Sequence, residues 1–382
     1  SVKVYLLFNL LNSMILGAIT PKNIGDKRTT LHPQSIKAVL DMGIKVIFES
    51  GIGLQADIPD KALSELGAKS LSREECLKQA DIILCSEPIK SDEIGLIKKG
   101  SSILGLLEPF NNKAQFKTHA EKGINSISME FIPRTTRAQK MDVLSSQSNL
   151  AGYVSVIESA KLLNSALPMM MTAAGTLKPA RVFVIGVGVA GLQAIATAKR
   201  LGARVEAFDT RPIVEEQVKS LGAKFVKIDL GDTGQTDQGY AKELTKEQID
   251  KQKKLQADVC ANSDIVITTA QLFGKPAPKL IDKKTIERMK PGSVIFDMAV
   301  ESGGNVEGSI ADSLQNLNGV KIIGYSNLSS FVSDHASFAL SNNLINFIID
   351  FYDKENAQMN FDLEDEIIKS SMFVKDGKIL KK

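Results

Sequence analysis

Three glycines follow an apolar run in the middle of the chain, at the spacing G-x-G-x-x-G. The run at residues 182–185 is typical of a buried parallel strand, and it leads directly into Gly186, Gly188 and Gly191. In such a pattern the first glycine permits a tight turn, the second lets the backbone approach a pyrophosphate, and the third lets a helix pack closely on the strand. The N-terminus of that helix faces the phosphates. The spacing therefore predicts a phosphate-binding turn.

An acidic residue stands where such a turn needs one to bind a ribose. A second apolar run ends at Asp209, whose carboxylate can accept hydrogen bonds from ribose hydroxyls. A carboxylate there suits the 2′-hydroxyl of NAD and repels the 2′-phosphate of NADP. Arg211 is an exception to this argument because it can neutralise a phosphate. We expect NAD(H) rather than NADP(H); the alternative is a glycine-rich turn that only packs.

A dense polar segment precedes the long helix predicted at residues 148–163. Residues 133–149 read PRTTRAQKMDVLSSQSN. A nicotinamide carboxamide needs a donor and an acceptor to fix its rotation: Gln139 offers both, Asp142 accepts and Arg134 donates. The alternative is a linker that ends in a helix N-cap at one of the serines. The residues alone leave both interpretations open.

The composition is that of an ordinary globular protein. The chain has 382 residues, of which 43% are hydrophobic and 24% charged, with a net charge of +3. This length suits two domains. No basic stripe with interleaved aromatics is present, so nucleic acid is not an expected partner. The three cysteines and three histidines show no metal or disulfide spacing, and we expect no metal site, buried free thiols and a reducing compartment.

Strand and helix signals alternate along the chain, which predicts an α/β fold with parallel sheets. We expect two Rossmann-like domains with an interdomain nucleotide cleft. A long helix at residues 335–352 would return to the first domain and make it discontinuous. The predicted domains are residues 1–135 with 335–382, and residues 136–334 including the connecting helix; a hairpin is predicted around residues 375–378.

Two segments keep alternative interpretations. Residues 4–16 are mostly apolar; a strand with a leading extension is favoured over a short targeting segment, and the run is too short to span a bilayer. Residues 230–240 are rich in Gly, Asp, Gln and Thr. They predict either a solvated loop or a mobile flap over a cofactor, with Tyr240 as its large side chain.

Taken together, the motifs resemble one known family. The strings RTTRAQKMDVLSSQSNLAGY, RVFVIGVGVAGLQAIATAKRLGA, DTRP, TTAQLFGKPAP and FDMAVESGGNVE are similar to those of the soluble NAD(H)-binding component of proton-translocating nicotinamide nucleotide transhydrogenase. The wider superfamily includes alanine dehydrogenase, which shares the two-domain plan. The resemblance covers nearly the whole chain.

The resemblance implies an activity. Hydride would pass directly between NAD(H) on this chain and NADP(H) on a partner component, and a membrane-spanning component would couple the transfer to proton flow. Such chemistry needs two nicotinamide rings at near-attack distance with water excluded, and no general acid or base. It further implies a homodimer in the cytoplasm, held at the inner membrane through its partner subunits.

The resemblance also implies roles for individual residues. Arg134, Gln139 and Asp142 would position the nicotinamide, with the Ser145 hydroxyl bonding the ring. Tyr240 would belong to a mobile loop that closes over the nucleotide. The implied cofactor contacts are Gly186, Gly188, Val189, Ala190, Gly191, Asp209, Thr210, Arg211, Gly239, Tyr240, Gln252, Ala270 and Gln271.

Two other functions compete with this one. An alanine dehydrogenase needs a cation and a proton-transfer residue for its substrate; that family has a lysine before a Glu-Pro pair, where this chain has Ser86, and a histidine on the next strand, at residues 103–107, where this chain has none. Arg28 remains, but we expect it to be structural or salt-bridged, and the acid of that family falls near Glu301. The third class, a NAD-binding protein without turnover, is disfavoured by the intact glycines. This chain departs from many transhydrogenases at Gln271 and at Ser329-Ser330-Phe331, which questions local contacts and leaves the fold prediction intact.

Overall fold

The contacts of the chain divide it into two compact units. The structure, a computed structural model, describes residues 13–231, 233–236 and 241–381. The first unit comprises the described residues up to Gln147 and from Val332 onward, and the second unit is Ser148–Phe331. Strands and helices are numbered below in chain order across both units.

The first unit is built on a mainly parallel sheet. Its strands are β1 (Ile15–Ala18), β2 (Lys45–Glu49), β3 (Lys69–Leu71), β4 (Ile82–Cys85), β5 (Ser102–Gly105), β6 (Asn125–Ser128), β18 (Met372–Lys375) and β19 (Lys378–Ile379). Their spatial order is β19-β18-β6-β5-β4-β1-β2-β3. Every residue of β4, β5 and β6 is buried, as expected for central strands that are covered on both faces.

Helices cover this sheet with their apolar sides. They are α1 (Pro33–Asp41), α2 (Asp60–Ser64), α3 (Arg73–Gln79), α4 (Ala114–Lys122), α10 (Ser333–Phe351) and α11 (Glu366–Ser371). A reciprocal capping box between Ser72 and Glu75 starts α3, and such a box satisfies two amide donors that the helix itself leaves free. A small antiparallel pair, β16 (Tyr352–Asp353) and β17 (Gln358–Met359), follows α10.

The second unit repeats the scheme. Its main sheet contains β9 (Arg181–Ile185), β10 (Arg204–Phe208), β11 (Lys224–Phe225), β12 (Ile265–Thr268), β13 (Val294–Asp297), β14 (Gln315–Leu317) and β15 (Val320–Ile323). The order is β11-β10-β9-β12-β13-β15-β14, and the pairs are parallel except β14 with β15. The helices are α5 (Val143–Leu162), which crosses the division between the units, α6 (Val189–Arg200), α7 (Glu215–Ser220), α8 (Lys246–Ala261) and α9 (Lys283–Glu287).

Both sheets therefore share one strand order. If the successive parallel strands of each unit are counted from one, the order is 3-2-1-4-5-6 in both units, which is the doubly wound arrangement of dinucleotide-binding folds. In the second unit the chain reverses its direction of winding between β9 and β12, and ligands of such sheets bind at this switch point. The predicted α/β class with two Rossmann-like sheets is confirmed.

The C-terminal part of the chain joins the first sheet, as α10 packs on α1 and β18 pairs with β6. The hairpin expected around residues 375–378 is present as β18 and β19. The division of the chain differs from the predicted boundary, because residues 136–147 lie in the first unit. Ion pairs and hydrogen bonds fasten these residues to α10, and they connect positions about 200 residues apart in sequence, which periodicity does not reveal.

Two features were not predicted. A hairpin of β7 (Met170–Thr172) and β8 (Gly175–Leu177) follows α5, and the connecting helix α5 begins at Val143, five positions before its predicted start. Among residues 13–231, 233–236 and 241–381, no helix combines the length and apolarity needed to cross a bilayer.

Candidate functional site

The three glycines of the fingerprint turn (residues 186–191) have different structural duties. Gly186 follows β9 with a φ of 96°, which side chains other than glycine rarely adopt. A Cβ atom on Gly191 would lie 2.0 Å from the carbonyl oxygen of Gly186. These two positions therefore require glycine for the turn itself, before any ligand is considered.

Gly188 differs, because it requires glycine for neither reason. Its φ is −83°, and an added Cβ would meet no described atom within 4 Å. Open space therefore lies beside the backbone where the second glycine of a fingerprint approaches a pyrophosphate. Helix α6 begins at Val189 without a side-chain cap, so its first amide donors remain available for an anion.

Asp209 holds the turn from the end of β10. One carboxylate oxygen accepts from the Val187 amide at 2.7 Å and from the Arg211 guanidinium at 2.7 Å. The other oxygen accepts from the Arg211 amide and from its Nε, both at 2.8 Å. Because a carboxylate offers about four acceptor positions, these contacts use its usual capacity within the chain. The hydrogen bonds with Asp209 raise the pKa of Arg211, although burial opposes the shift.

The loop after β12 lies beside the same turn. The Thr269 hydroxyl donates to the Gly186 carbonyl at 2.9 Å. Asn305 brackets Ala270, since its Oδ1 accepts from the Ala270 amide at 3.1 Å and its Nδ2 donates to the Ala270 carbonyl at 2.8 Å. Gln271 is exposed, and its Nε2 donates to the Met298 carbonyl at 3.3 Å. Ala270 is thus held in one backbone position next to the fingerprint turn.

Asp297 supports this arrangement from the end of β13. Its fully buried carboxylate accepts from the amides of Ala299 at 3.0 Å, Asn305 at 3.2 Å and Val306 at 3.2 Å. Sequence reasoning missed Asp297, Asn305 and Thr269. One signal was available for Asp297, because it is an acid at the end of a strand, as Asp209 is.

The remaining predicted contacts of the second unit are placed less directly. The Thr210 carbonyl accepts from the Thr233 hydroxyl, so the described start of the predicted flap touches the end of the ribose strand. Gln252 lies on the buried side of α8, and its Oε1 has no hydrogen-bond partner among the described residues. Gly239 and Tyr240 lie outside the described residues, and their roles stay predictions.

In the first unit, Asp142 is the N-cap of helix α5. Its carboxylate accepts from the Ser145 amide at 2.9 Å and from the Ser145 hydroxyl at 2.6 Å, which satisfies donors that the first turn leaves free. A helix cap was one of the two interpretations of this segment, but the expectation that a serine supplies it is wrong. Asp142 and Ser145 are partly buried and bonded to each other.

The 134–145 segment presents two kinds of side chain. Ala138, Met141 and Val143 are fully buried in the core of the first unit. Arg134 and Gln139 are exposed, and the Gln139 carboxamide has no hydrogen-bond partner among the described residues. Gln139 therefore offers a donor and an acceptor to a ligand, as the sequence predicted.

The groups that a proton-transfer mechanism would use are otherwise engaged. The Arg28 guanidinium donates to both carboxylate oxygens of Asp26 at 2.8 Å, which confirms the predicted salt bridge. Burial lowers the pKa of His119 to about 4. The three cysteines are buried free thiols, as predicted, and burial raises the pKa of Cys76 and Cys260 to about 12. These groups are poor candidates for nucleophiles or bases near neutral pH.

Family models match almost the whole chain. Residues 20–151 match the model described as "Alanine dehydrogenase/PNT, N-terminal domain", and residues 155–382 match "Alanine dehydrogenase/PNT, C-terminal domain". The chain belongs to the alanine dehydrogenase/PNT family. The resemblance drawn from the motifs is thereby confirmed.

Relatives within the family distinguish its two branches. The chain is 44% identical over 364 residues to an NAD(P) transhydrogenase subunit alpha polypeptide of Rhodospirillum rubrum, a match that covers 93% of this chain and 95% of the relative. It is 26% identical over 355 residues to alanine dehydrogenase 1 of Staphylococcus aureus, covering 89% and 88%. The crystal structure of transhydrogenase from Sinorhizobium meliloti superposes with a TM-score of 0.87 at 39% identity, covering 96% of this chain and 99% of that one.

Proposed function

We propose that this chain is the NAD(H)-binding component of a proton-translocating NAD(P) transhydrogenase. It is an oxidoreductase component that passes hydride directly between NAD(H) bound here and NADP(H) bound on a partner component. The observation that carries the proposal is the fingerprint turn, where open space at Gly188 lies beside an uncapped helix start. High identity to transhydrogenase alpha subunits supports the choice within the family.

In this proposal the fingerprint turn binds the pyrophosphate, with the Val189, Ala190 and Gly191 amides as donors. The end of β10 binds the adenosine ribose. Arg211 uses its guanidinium on Asp209, so its charge is already neutralised by a carboxylate, which favours NAD(H) over a 2′-phosphorylated nucleotide. Because the chain also uses the acceptor positions of Asp209, a ribose hydroxyl would share them with Arg211. Ala270, Gln271 and Gln252 remain proposed contacts, as do Gly239 and Tyr240.

The 134–145 segment contacts the nicotinamide. Gln139 both donates to and accepts from the carboxamide, and Arg134 donates to it. Asp142 and Ser145 hold the start of α5 through their mutual hydrogen bonds and complete the set. Bound NADH supplies the hydride, and the residues of this chain supply orientation and the exclusion of water. No side-chain base is needed.

The alternative is an alanine dehydrogenase-like enzyme. It requires a cation for the substrate carboxylate and a proton-transfer group. Arg28 is committed to Asp26, and Ser86 stands where that branch has lysine. These substitutions, together with the lower identity to alanine dehydrogenase, favour the transhydrogenase.

One experiment separates the two functions. The purified chain is assayed with NADH and an oxidised NADP analogue, with and without the NADP(H)-binding component, and separately with pyruvate, ammonium and NADH. We expect hydride transfer only when the partner component is present, and no pyruvate reduction. Alanine formation by the chain alone would replace the proposal with the alternative.

We also propose that the chain forms a homodimer through the hairpin of β7 and β8. Met169 and Met171 have exposed fractions of 62% and 85%, and Leu177 is 48% exposed. Residues 169–177 carry no charge, so an identical copy meets no like-charge repulsion, and a two-stranded ribbon alone is marginal in water. Unprotected strand edges favour pairing, and a two-fold axis brings identical edges together.

Sedimentation of Met171→Asp tests this assignment. We expect a monomer, whereas Ile310→Asp, at an apolar position of the same unit that is 56% exposed, leaves the dimer intact. A monomeric unmodified chain, or an unaltered dimer in Met171→Asp, would contradict it. The NADP(H)-binding and membrane-spanning components are further proposed partners, which would hold this chain at the cytoplasmic face of the inner membrane.

A further inference from the structure

The 134–145 segment is fastened to the rest of the first unit on both sides of Gln139. The Arg137 guanidinium contacts two carboxylates, that of Asp365 at 2.5 Å and that of Asp350 at 3.6 Å. The Lys140 ammonium lies 2.5 Å from the other carboxylate oxygen of Asp350. One carboxylate at the end of α10 therefore receives both cations that bracket Gln139.

The backbone of the segment is held as well. The Lys140 carbonyl accepts from the Asn343 carboxamide at 2.9 Å and from the Asn346 carboxamide at 3.2 Å. Both asparagines lie on α10, and Asn343 also accepts from the Ser146 hydroxyl at 2.6 Å. The Arg137 guanidinium carbon lies 5.2 Å from the centre of the Phe351 ring. Helix α10 thus contacts the segment through charges, amides and a ring.

The charges of this network persist over a wide pH range. Burial raises the pKa of Asp365, but the hydrogen bond from Arg137 and the amides at the start of α11 outweigh it, so the pKa lies below its ordinary value. The hydrogen bond with Asp365 raises the pKa of Arg137. A single exposed ion pair contributes little to stability, but several charges that share partners hold a geometry better. The side chains of Asp350 and Asp365 are only 16% and 20% exposed.

We propose that Asp350, with Arg137 and Lys140, is a positioning group for the nicotinamide: it fixes the backbone of the 134–145 segment so that the Gln139 carboxamide is presented in one orientation. This role rests on the proposed function. Gln139 lies in a single 3₁₀ turn, Gln139–Met141, which has little rigidity of its own. Asp350 itself touches no substrate in this account; it acts through Gln139.

The expected effect is on transfer more than on nucleotide affinity. A small misplacement of a positioning group can reduce a transfer rate by about 100-fold, so we expect Asp350→Asn to lower the hydride-transfer rate by about 10-fold or more. ADP lacks the nicotinamide, so its affinity stays unchanged. Asp350→Glu keeps the charge and restores part of the rate.

The experiment combines a structural readout with a functional one, using the full chain with its NADP(H)-binding component. Hydrogen exchange is followed at the amides of Gln139 and Asp142, which bond to the carbonyls of Thr135 and Gln139. Hydride transfer is followed in a single turnover for Asp350→Asn, Gln139→Ala and the double variant. Asp362→Asn is the matched control, because Asp362 is exposed and bonds only locally to the Glu364 amide.

We expect faster exchange at both amides in Asp350→Asn and none in the control. We also expect the transfer rate of the double variant to equal that of Gln139→Ala, because both changes act through one carboxamide. Unchanged exchange, or multiplicative losses in the double variant, would overturn the positioning role while leaving the proposed function intact. A wild-type chain that binds no NADH would overturn the proposed function, and this role with it, whatever the exchange result.

Discussion

The fingerprint turn and the 134–145 segment hold their functional groups in opposite ways. In the turn, the backbone is the functional group, and local geometry around Gly186 and Gly191 determines its shape. In the segment, the side chains are the functional groups, and ion pairs to Asp350 and Asp365 hold them across more than 200 residues of chain. We infer that binding depends on a local motif and orientation on long-range contacts.

The largest effect is expected where the turn has no room. Gly191→Ala would place a Cβ 2.0 Å from the Gly186 carbonyl oxygen, and neither backbone atom can move without disturbing the contact between β9 and α6. We expect an overpacking cost of about 1–3 kcal/mol and loss of NADH binding. Thermal unfolding and calorimetric titration measure the two effects. A variant with normal unfolding and normal binding would show that the turn tolerates a different geometry.

Gly188→Ala sharpens the contrast within the turn. An added methyl group meets no described atom within 4 Å, so the fold is expected to remain as stable as the wild type. The methyl group does occupy space that the pyrophosphate needs, so we expect NADH affinity to fall at least about 10-fold, or about 1.4 kcal/mol. Calorimetric titration with NADH checks this, and unchanged affinity would argue that the phosphates bind elsewhere.

A smaller effect separates the two units by their response to acid. All three histidines belong to the first unit, and burial keeps His119 neutral with a pKa of about 4 against an ordinary value of 6.5. The unfolded chain binds a proton there below pH 6.5 and the folded chain does not. The stability contribution is therefore complete above about pH 6.5 and is lost toward pH 4, on the order of 3 kcal/mol.

Denaturant unfolding between pH 7 and pH 4 tests this sign. His119→Leu removes the titrating group, at the cost of the 2.8 Å hydrogen bond with Ser126, and should flatten the decline in stability over this range. An equally steep decline in the variant would attribute the acid sensitivity to other groups.

The same contrast explains what the sequence could predict. The strand order, the turn and Asp209 depend on short patterns in which each residue has a local reason, and the sequence revealed them. The network around Ala270 was missed, because Asn305 reaches that loop only after β12 and β13 are aligned. The assignment of residues 136–147 also differed, because Arg137 and Lys140 find Asp350 only in the folded unit. The hairpin at residues 170–177 was missed because it is uncharged and has no alternating pattern.

The central claim is that the fingerprint turn binds the nucleotide while the 134–145 segment orients its nicotinamide. The most direct test measures NADH affinity and the single-turnover hydride-transfer rate of the saturated complex for Gly188→Ala and Gln139→Ala, with the NADP(H)-binding component present. We predict a crossed result: Gly188→Ala loses affinity but transfers at nearly the wild-type rate, and Gln139→Ala binds nearly normally but transfers about 10-fold more slowly. If both variants lose affinity and rate together, binding and orientation are not separate functions of these two regions.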